Sequence, residues 1–311
     1  MTDTRGAPMT TPDAALAASL DGGFTSHHAD LDGVRLHYVD GGSGAPLLLL
    51  GGWPQTWWQW NKVMPALARH HRVIAVDLRG MGDSSKPEAG YDKRTMAADI
   101  HRLVDHLGLG AVSIAGHDIG AMVAYAFAAN HPESTSKIAI LDVAHPDESW
   151  SEFRLLPQPD QHVDGDILRG QRSYLWWFAF NQVRALPEKL LDGRTRPLVD
   201  WLFDRQSADP RSIDDRSREV YARAYSTPDA VRAGNAWYQA FNADIADSLT
   251  YRPVRAPILA LGGDRAGYRW LRTIMPAKGT DVRVVEVSDC GHYIPEEQPH
   301  AVIDELTSFL G

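Results

Sequence analysis

The chain has 311 residues, 44% of them hydrophobic and 23% charged, which excludes global disorder and leaves room for a large core, alone or with an inserted unit. Its formal charge of −9, without any block of Lys or Arg, disfavours nucleic acid or an anionic membrane as partner and suits an uncharged small molecule. The single cysteine, Cys290, cannot form an internal disulfide, which fits a cytoplasmic setting, and no run of about 18 apolar residues predicts a membrane-spanning helix.

Residues 1–23 read as a flexible lead, too weak in its apolar stretch for a signal peptide. From Phe24, short alternating runs broken at Asp32-Gly33 and Gly41-Gly42 predict an antiparallel start leading into a buried strand over 46–50. A Trp-rich helix follows, with Trp57, Trp58 and Trp60 read as core packing. Strand and helix then alternate: strand 73–78, helix 95–107, strand 111–115, helix 121–129, strand 137–141. Such alternation demands parallel strands with right-handed crossovers, hence an α/β doubly wound, mostly parallel sheet. The strand signal vanishes over 146–250, where proline-punctuated aromatic and charged stretches predict an inserted helical cap. It returns at 257–261 and 282–287, before a last helix over 300–310. The expected organisation is a lead (1–23), a core (24–145 and 251–311) and a cap (146–250).

Gly116-His117-Asp118-Ile119-Gly120 lies just after a predicted strand and just before a predicted helix, the setting of a nucleophile elbow. Aspartate stands where a hydrolase elbow usually has serine. A carboxylate is ionised at neutral pH without help from a base, so Asp118 can attack an sp3 carbon and form an enzyme ester. Alone, such an aspartate is most often only a helix cap. Gly291-His292-Tyr293 follows the last predicted strand, in the chain order nucleophile, acid, histidine, and makes His292 the candidate base; His117 and the remaining histidines carry no such positional signal. Two acids that end predicted strands could orient it, Asp142 and Asp264. Gly51-Gly52-Trp53-Pro54 also follows a buried strand, so the amides of Trp53 and Ile119 are expected to form an oxyanion hole. Cys290 is read as a small buried residue.

Read together, GGWPQTW, GHDIG and GHYIPEE resemble the HGxPQxW, GHDxG and GHxxPEE pattern of the epoxide hydrolase and haloacid dehalogenase branch of the α/β-hydrolases. The resemblance spans nearly the whole chain after Phe24 and implies an α/β-hydrolase fold with an inserted cap; Gly51 departs from it, replacing histidine. In that branch a cap tyrosine donates a hydrogen bond to the epoxide oxygen, and this implies Tyr238; the second donor position falls on Trp177 in an aromatic stretch that could equally be core. Indole N–H can polarise but cannot give up its proton, so only Tyr238 qualifies as a general acid. Trp176, Phe178 and His145 are expected to line the substrate. Dehalogenases of small haloacids carry arginines just after the nucleophile, whereas Ile119 and Met122 stand here.

The expected activity is therefore epoxide hydrolysis to a vicinal diol through an ester on Asp118, without cofactor or metal. Similar enzymes of bacterial aromatic polyketide biosynthesis imply a polycyclic substrate. A haloalkane or haloacetate dehalogenase is the alternative, and a noncatalytic small-molecule binder on a hydrolase scaffold is the alternative of another class. Homodimer formation stays open.

Overall fold

The computed structural model describes residues 12–153, 156, 161–162, 172–173 and 175–311. A seven-residue helix, α1 (Pro12–Ala18), precedes the first strands β1 (Thr25–Leu31) and β2 (Val34–Gly42). Leu31 pairs with Val34, so Asp32-Gly33 is a two-residue hairpin turn, and Gly33 takes the positive φ of 79° that such a turn requires. The chain continues through β3 (Ala45–Leu50), α2 (Met64–Leu67), β4 (His71–Val76), α3 (Lys93–His106), β5 (Val112–His117), α4 (Ile119–Asn130) and β6 (Thr135–Leu141).

After β6 come two two-residue strands, β7 (Gln161–His162) and β8 (Arg172–Ser173), then the helices α5 (Trp176–Gln182), α6 (Leu186–Leu191), α7 (Arg196–Gln206), α8 (Asp215–Ala224), α9 (Pro228–Gln239) and α10 (Phe241–Ser248). The main sheet resumes with β9 (Ile258–Gly263), α11 (Tyr268–Ile274) and β10 (Val282–Val287), and the chain closes with α12 (Ile294–Glu297) and α13 (Pro299–Leu310). The short parallel pair β7–β8 was not expected from the sequence; two residues are too few to carry a period. Position 174 of the aromatic run 174–180, together with Pro157 and Pro159, lies outside the described residues.

Eight strands form the main sheet in the order β1-β2-β4-β3-β5-β6-β9-β10. β1–β2 and β2–β4 pair antiparallel and every other pair is parallel, which is the mostly parallel, doubly wound sheet that the alternation implied. The continuous apolar run of β3 is what a strand covered on both faces requires. Leu48 and Leu50 point into one core and Leu47 and Leu49 into the other, the period-two alternation of a strand. α4 is buried on nearly every side, consistent with its alanine-rich, uncharged sequence.

The order reverses at β3, where the chain moves first to β4 and then to β5; open α/β sheets bind ligands beyond the carboxyl ends of the strands at such a point. The helices inserted between β6 and β9 are fastened to the core there. Lys93 at the start of α3, fully buried, pairs with Asp244 of α10 at 2.8 Å and donates to the Trp237 carbonyl of α9 at 2.7 Å. The Trp237 indole donates to the Arg79 carbonyl at 3.0 Å.

Residues 12–18 do not behave as part of a flexible lead. Leu16 and Ala17 are buried, and the Asp13 carboxylate accepts from the Trp57 indole at 2.7 Å. Among the described residues no helix is long and apolar enough to cross a membrane.

Candidate active site

Asp118 sits between β5 and α4 with φ 52° and ψ −121°, a conformation outside the regions an ordinary residue prefers. Its neighbours explain the glycines. A Cβ on Gly120 would lie 2.3 Å from the Leu50 carbonyl oxygen, and one on Gly52 would lie 2.4 Å from the Asp118 Cβ. Only glycine lets β3, its loop and the elbow approach this closely. The turn presents the carboxylate to the amides predicted for the oxyanion hole: Trp53 N–H donates to Asp118 Oδ1 at 2.9 Å, and the Ile119 amide also bonds to the carboxylate. Burial raises the Asp118 pKa above its ordinary value, against the opposing pull of His292 and these two amides.

Gly51, the departure from the family pattern, is tightly enclosed. A Cβ there would lie 3.0 Å from the Thr56 carbonyl oxygen. The next amide, Gly52 N–H, donates to Gln59 Oε1 at 3.1 Å, so a glutamine set among buried tryptophans holds the loop while the Trp53 amide stays on Asp118. Gln59 was not singled out from the sequence; a polar residue inside Trp57-Trp58-Gln59-Trp60 was the available signal. The three tryptophans are buried, as read.

His292 lies beyond β10. Its Nδ1 bonds Asp142 Oδ2 at 2.7 Å, while Nε2 stands 3.7 Å from Asp118 Oδ2, beyond hydrogen-bond range. Asp142, left-handed at φ 63° just after β6, is itself held by the amides of Gly263 at 3.2 Å and Gly267 at 2.8 Å on its Oδ1. Asp264 is not the orienting acid: its two oxygens accept from the amides of Asp289, at 3.1 Å, and Cys290, at 2.9 Å, so it shapes the turn that leads to His292. Burial works to lower the His292 pKa, but the hydrogen bond and charge of Asp142, with the charges of Asp118 and Glu297, carry it above its ordinary value. His117 is fully buried, held well below its ordinary pKa by burial and by His292, and its Nε2 lies 2.7 Å from the His292 carbonyl. As a neutral imidazole it donates there and steadies the backbone of the candidate base.

Tyr238, in α9, is buried, with its ring edge-on to Trp53 at 5.4 Å and 80° and to Phe178 at 5.3 Å and 83°. Burial, then the charge of Asp118, pushes its pKa well above the ordinary value, and the Trp177 indole acts in the other direction as a donor to its hydroxyl. Trp177, in α5, is buried against Phe178 with ring centroids 6.0 Å apart. Phe178 touches Tyr238, Trp150 and Phe241, placing it in the same aromatic group.

Two expected lining residues are not brought into this group. The Trp176 ring packs against Trp177, Phe180 and Trp201, and among the described residues makes no ring contact with Tyr238 or Phe178. His145 is enclosed by Tyr125 and Tyr251, its Nδ1 is 2.9 Å from the Pro146 carbonyl, and burial pushes its pKa down to about 3; it is a neutral packing residue in these surroundings. Cys290 is buried, and burial pushes its thiol pKa up, away from the range of a nucleophile.

Among the described residues, the one group of metal-ligand type is His101, His131 and Glu133, whose ligand atoms lie within 4.8 Å of one another at the end of α4 opposite Asp118. The two imidazoles stack nearly parallel, 16° apart with centroids at 4.1 Å, so their in-plane lone pairs do not converge on one ion.

Comparison with known proteins shows the family. A family model described as alpha/beta hydrolase fold matches residues 45–299. A soluble epoxide hydrolase from Corynebacterium sp. (strain C12) is 36% identical over 292 residues, which span 92% of this chain and 97% of that protein. A fluoroacetate dehalogenase from a Burkholderia species is 31% identical over 252 residues, 78% of each protein. The crystal structure of Cfl2 from Burkholderia cenocepacia superposes with a TM-score of 0.80 at 36% identity, covering 92% of this chain and 96% of that one.

Proposed function

The chain belongs to the α/β-hydrolase fold family, in its epoxide hydrolase branch, and from that premise we propose that it opens a neutral epoxide through a covalent ester on Asp118. The observation that carries this reading is the placement of Asp118 Oδ1 on the Trp53 amide while the other oxygen, Oδ2, faces His292 at 3.7 Å. One oxygen is held and the other is available for attack. The nucleophile attacks an epoxide carbon and breaks its C–O bond, Tyr238 gives its proton to the departing oxygen, and the Trp177 indole, a donor to the Tyr238 hydroxyl, orients that hydroxyl toward it. A tyrosine whose pKa is raised keeps its proton until an alkoxide develops beside it.

His292 then takes a proton from water, and that water attacks the ester carbonyl. The amides of Trp53 and Ile119 hold the resulting oxyanion, each such donor contributing about 3 kcal/mol in acyl-transfer enzymes. Its collapse breaks the ester C–O bond, the leaving alkoxide takes the proton of the new carboxylic acid to complete the diol, and the proton on His292 returns to the Tyr238 phenolate. Ester formation also prepares the base. It removes the negative charge of Asp118, one of the charges that raise the His292 pKa, so the imidazole becomes more readily neutral at the step where it must accept a proton.

The side chains around Tyr238 are aromatic: Trp53, Tyr238, Phe178, Trp150 and Phe241 form a contiguous ring cluster, and the one cation against it among the described residues, Lys93 over the Phe241 ring at 4.7 Å, is already paired with Asp244. Ile119 and Met122, buried beside the nucleophile, offer no cation to a substrate carboxylate. Both features favour an aryl or polycyclic epoxide over a haloacid. The similarity to a fluoroacetate dehalogenase keeps halide displacement as the second reading, since the Tyr238 hydroxyl could equally solvate a leaving halide. Rates on a panel of aryl epoxides and haloacetates separate the two. We expect kcat/KM for diol formation to exceed that for halide release on every pair, and faster halide release from haloacetate would overturn the epoxide reading.

A further inference from the structure

The loop that carries His292 is tied at more points than a surface turn needs. Glu297, the last residue of α12, is buried and turns its carboxylate back onto the chain before it. Oε2 accepts from the Gly291 amide at 2.9 Å and Oε1 from the Tyr293 amide at 2.9 Å, so the two residues on either side of His292 are held by one side chain. Oε2 also accepts from the Ala208 amide at 2.6 Å, just past the end of α7. A second tie runs alongside, from the His292 amide to the carbonyl of Gln206, the last residue of α7, at 2.9 Å. The base and the end of an inserted helix therefore share one anchoring carboxylate.

We propose that Glu297 is a positioning residue for the second half of the reaction: ionised, it clasps the amides around His292 and that of Ala208, and so sets the distance from Nε2 to the ester carbonyl. This rests on the reading of His292 as the base that hydrolyses an ester on Asp118. Three amide N–H groups need acceptors, and a carboxylate can supply all of them. A protonated or amidated side chain turns one oxygen into a donor that faces an amide N–H, and at least one tie is lost. The titratable groups that face Glu297 are Cys290, His292 and Tyr293 on its own segment and Asp142 beyond β6, and the residue beyond the end of α7, Ala208, contributes its amide. Burial, opposed by the three amides and helped by Asp142, pushes its pKa up to about 7, so the clasp loosens as pH falls through neutrality.

The test is rapid-quench mass spectrometry of the full-length chain with styrene oxide as probe, following ester formation and ester decay separately in wild type, Glu297→Gln, Glu297→Asp and His292→Gln. We expect Glu297→Gln to form ester within about twofold of the wild-type rate and to lose about 10- to 100-fold in ester decay, the scale of a small misplacement of a catalytic group. The decay rate of Glu297→Gln should lose the part of its acid limb near pH 7, and Glu297→Asp, which keeps the charge, should recover part of the decay rate. Wild-type decay with an unchanged pH limb in Glu297→Gln overturns the proposal. So does an equal loss of formation, decay and melting temperature in both Glu297 variants, which would mark a merely structural residue. If ester accumulates in His292→Gln while Glu297→Gln decays normally, only this proposal fails; if no variant, His292→Gln included, ever carries ester, the covalent reading fails with it.

Discussion

Two histidine–aspartate pairs in this chain have the same hydrogen-bond length and opposite fates. His37 Nδ1 lies 2.7 Å from Asp77 Oδ2, and His292 Nδ1 lies 2.7 Å from Asp142 Oδ2. The first pair is wholly buried beneath the hairpin edge of the sheet, and its Nε2 is engaged by Ser26 Oγ at 2.9 Å. Asp77 is engaged too, accepting from the amides of Trp57 at 2.9 Å and Asp83 at 3.2 Å. In the second pair Nε2 has no hydrogen-bond partner among the described residues and faces a carboxylate at 3.7 Å. The dyad itself is not the chemistry. What makes a base is an imidazole nitrogen left without a partner, beside an atom that can react.

The reactive dyad depends most on Asp118. Asp118→Ala should cut turnover on the order of 10^5-fold with the fold intact, measured as diol formation alongside melting temperature; an active variant would leave His292 with nothing to serve. His292→Gln should lower steady-state turnover by about 10^3-fold while ester accumulates on Asp118 and the melting temperature holds. Tyr238→Phe should slow ester formation about 100-fold, and Trp177→Phe about 10-fold because only an orienting hydrogen bond is lost, both read from the burst phase.

The other dyad should respond in the opposite sense. His37→Asn leaves Asp77 buried with one partner gone, so unfolding in urea should show a loss of about 3 kcal/mol while kcat is unchanged. Its pH dependence sharpens the point. Burial lowers the His37 pKa, but the hydrogen bond and charge of Asp77, with the charges of Asp13 and Asp83, together raise it above the ordinary 6.5, so the protonated imidazole stabilises the fold fully below that value and loses its contribution as pH rises through the higher folded pKa. The stability gap between wild type and His37→Asn should therefore be widest below pH 6.5 and narrow above it.

Much of this was legible in the sequence, for identifiable reasons. Buried parallel strands such as β3 announce themselves as unbroken apolar runs, and the elbow announces itself because the glycines at 116 and 120 that frame Asp118 are demanded by close backbone approach. The choice between Asp142 and Asp264 was not legible. Both end neighbouring strands, β6 and β9, and only the hydrogen bonds show that amides of the preceding turn occupy Asp264 while Asp142 faces the imidazole. His145 follows β6 as closely as a site residue would, and its enclosure by Tyr125 and Tyr251, one distant in sequence, leaves no local mark. The helix over residues 12–18 is held by Trp57, 44 positions from Asp13, which a local reading cannot see. Glu297 was visible only as a letter in GHYIPEE; the amides it gathers come from the flanks of His292 and from the end of α7.

The central claim, that Asp118 becomes an ester, is tested most directly by reaction in heavy-oxygen water. With enzyme in excess over a styrene oxide probe, the account predicts that the diol of the first turnover carries ordinary oxygen from the Asp118 carboxylate and that the label appears in the peptide containing Asp118. A labelled first-turnover diol with Asp118 unlabelled would mean that water attacks the epoxide directly, and would contradict it.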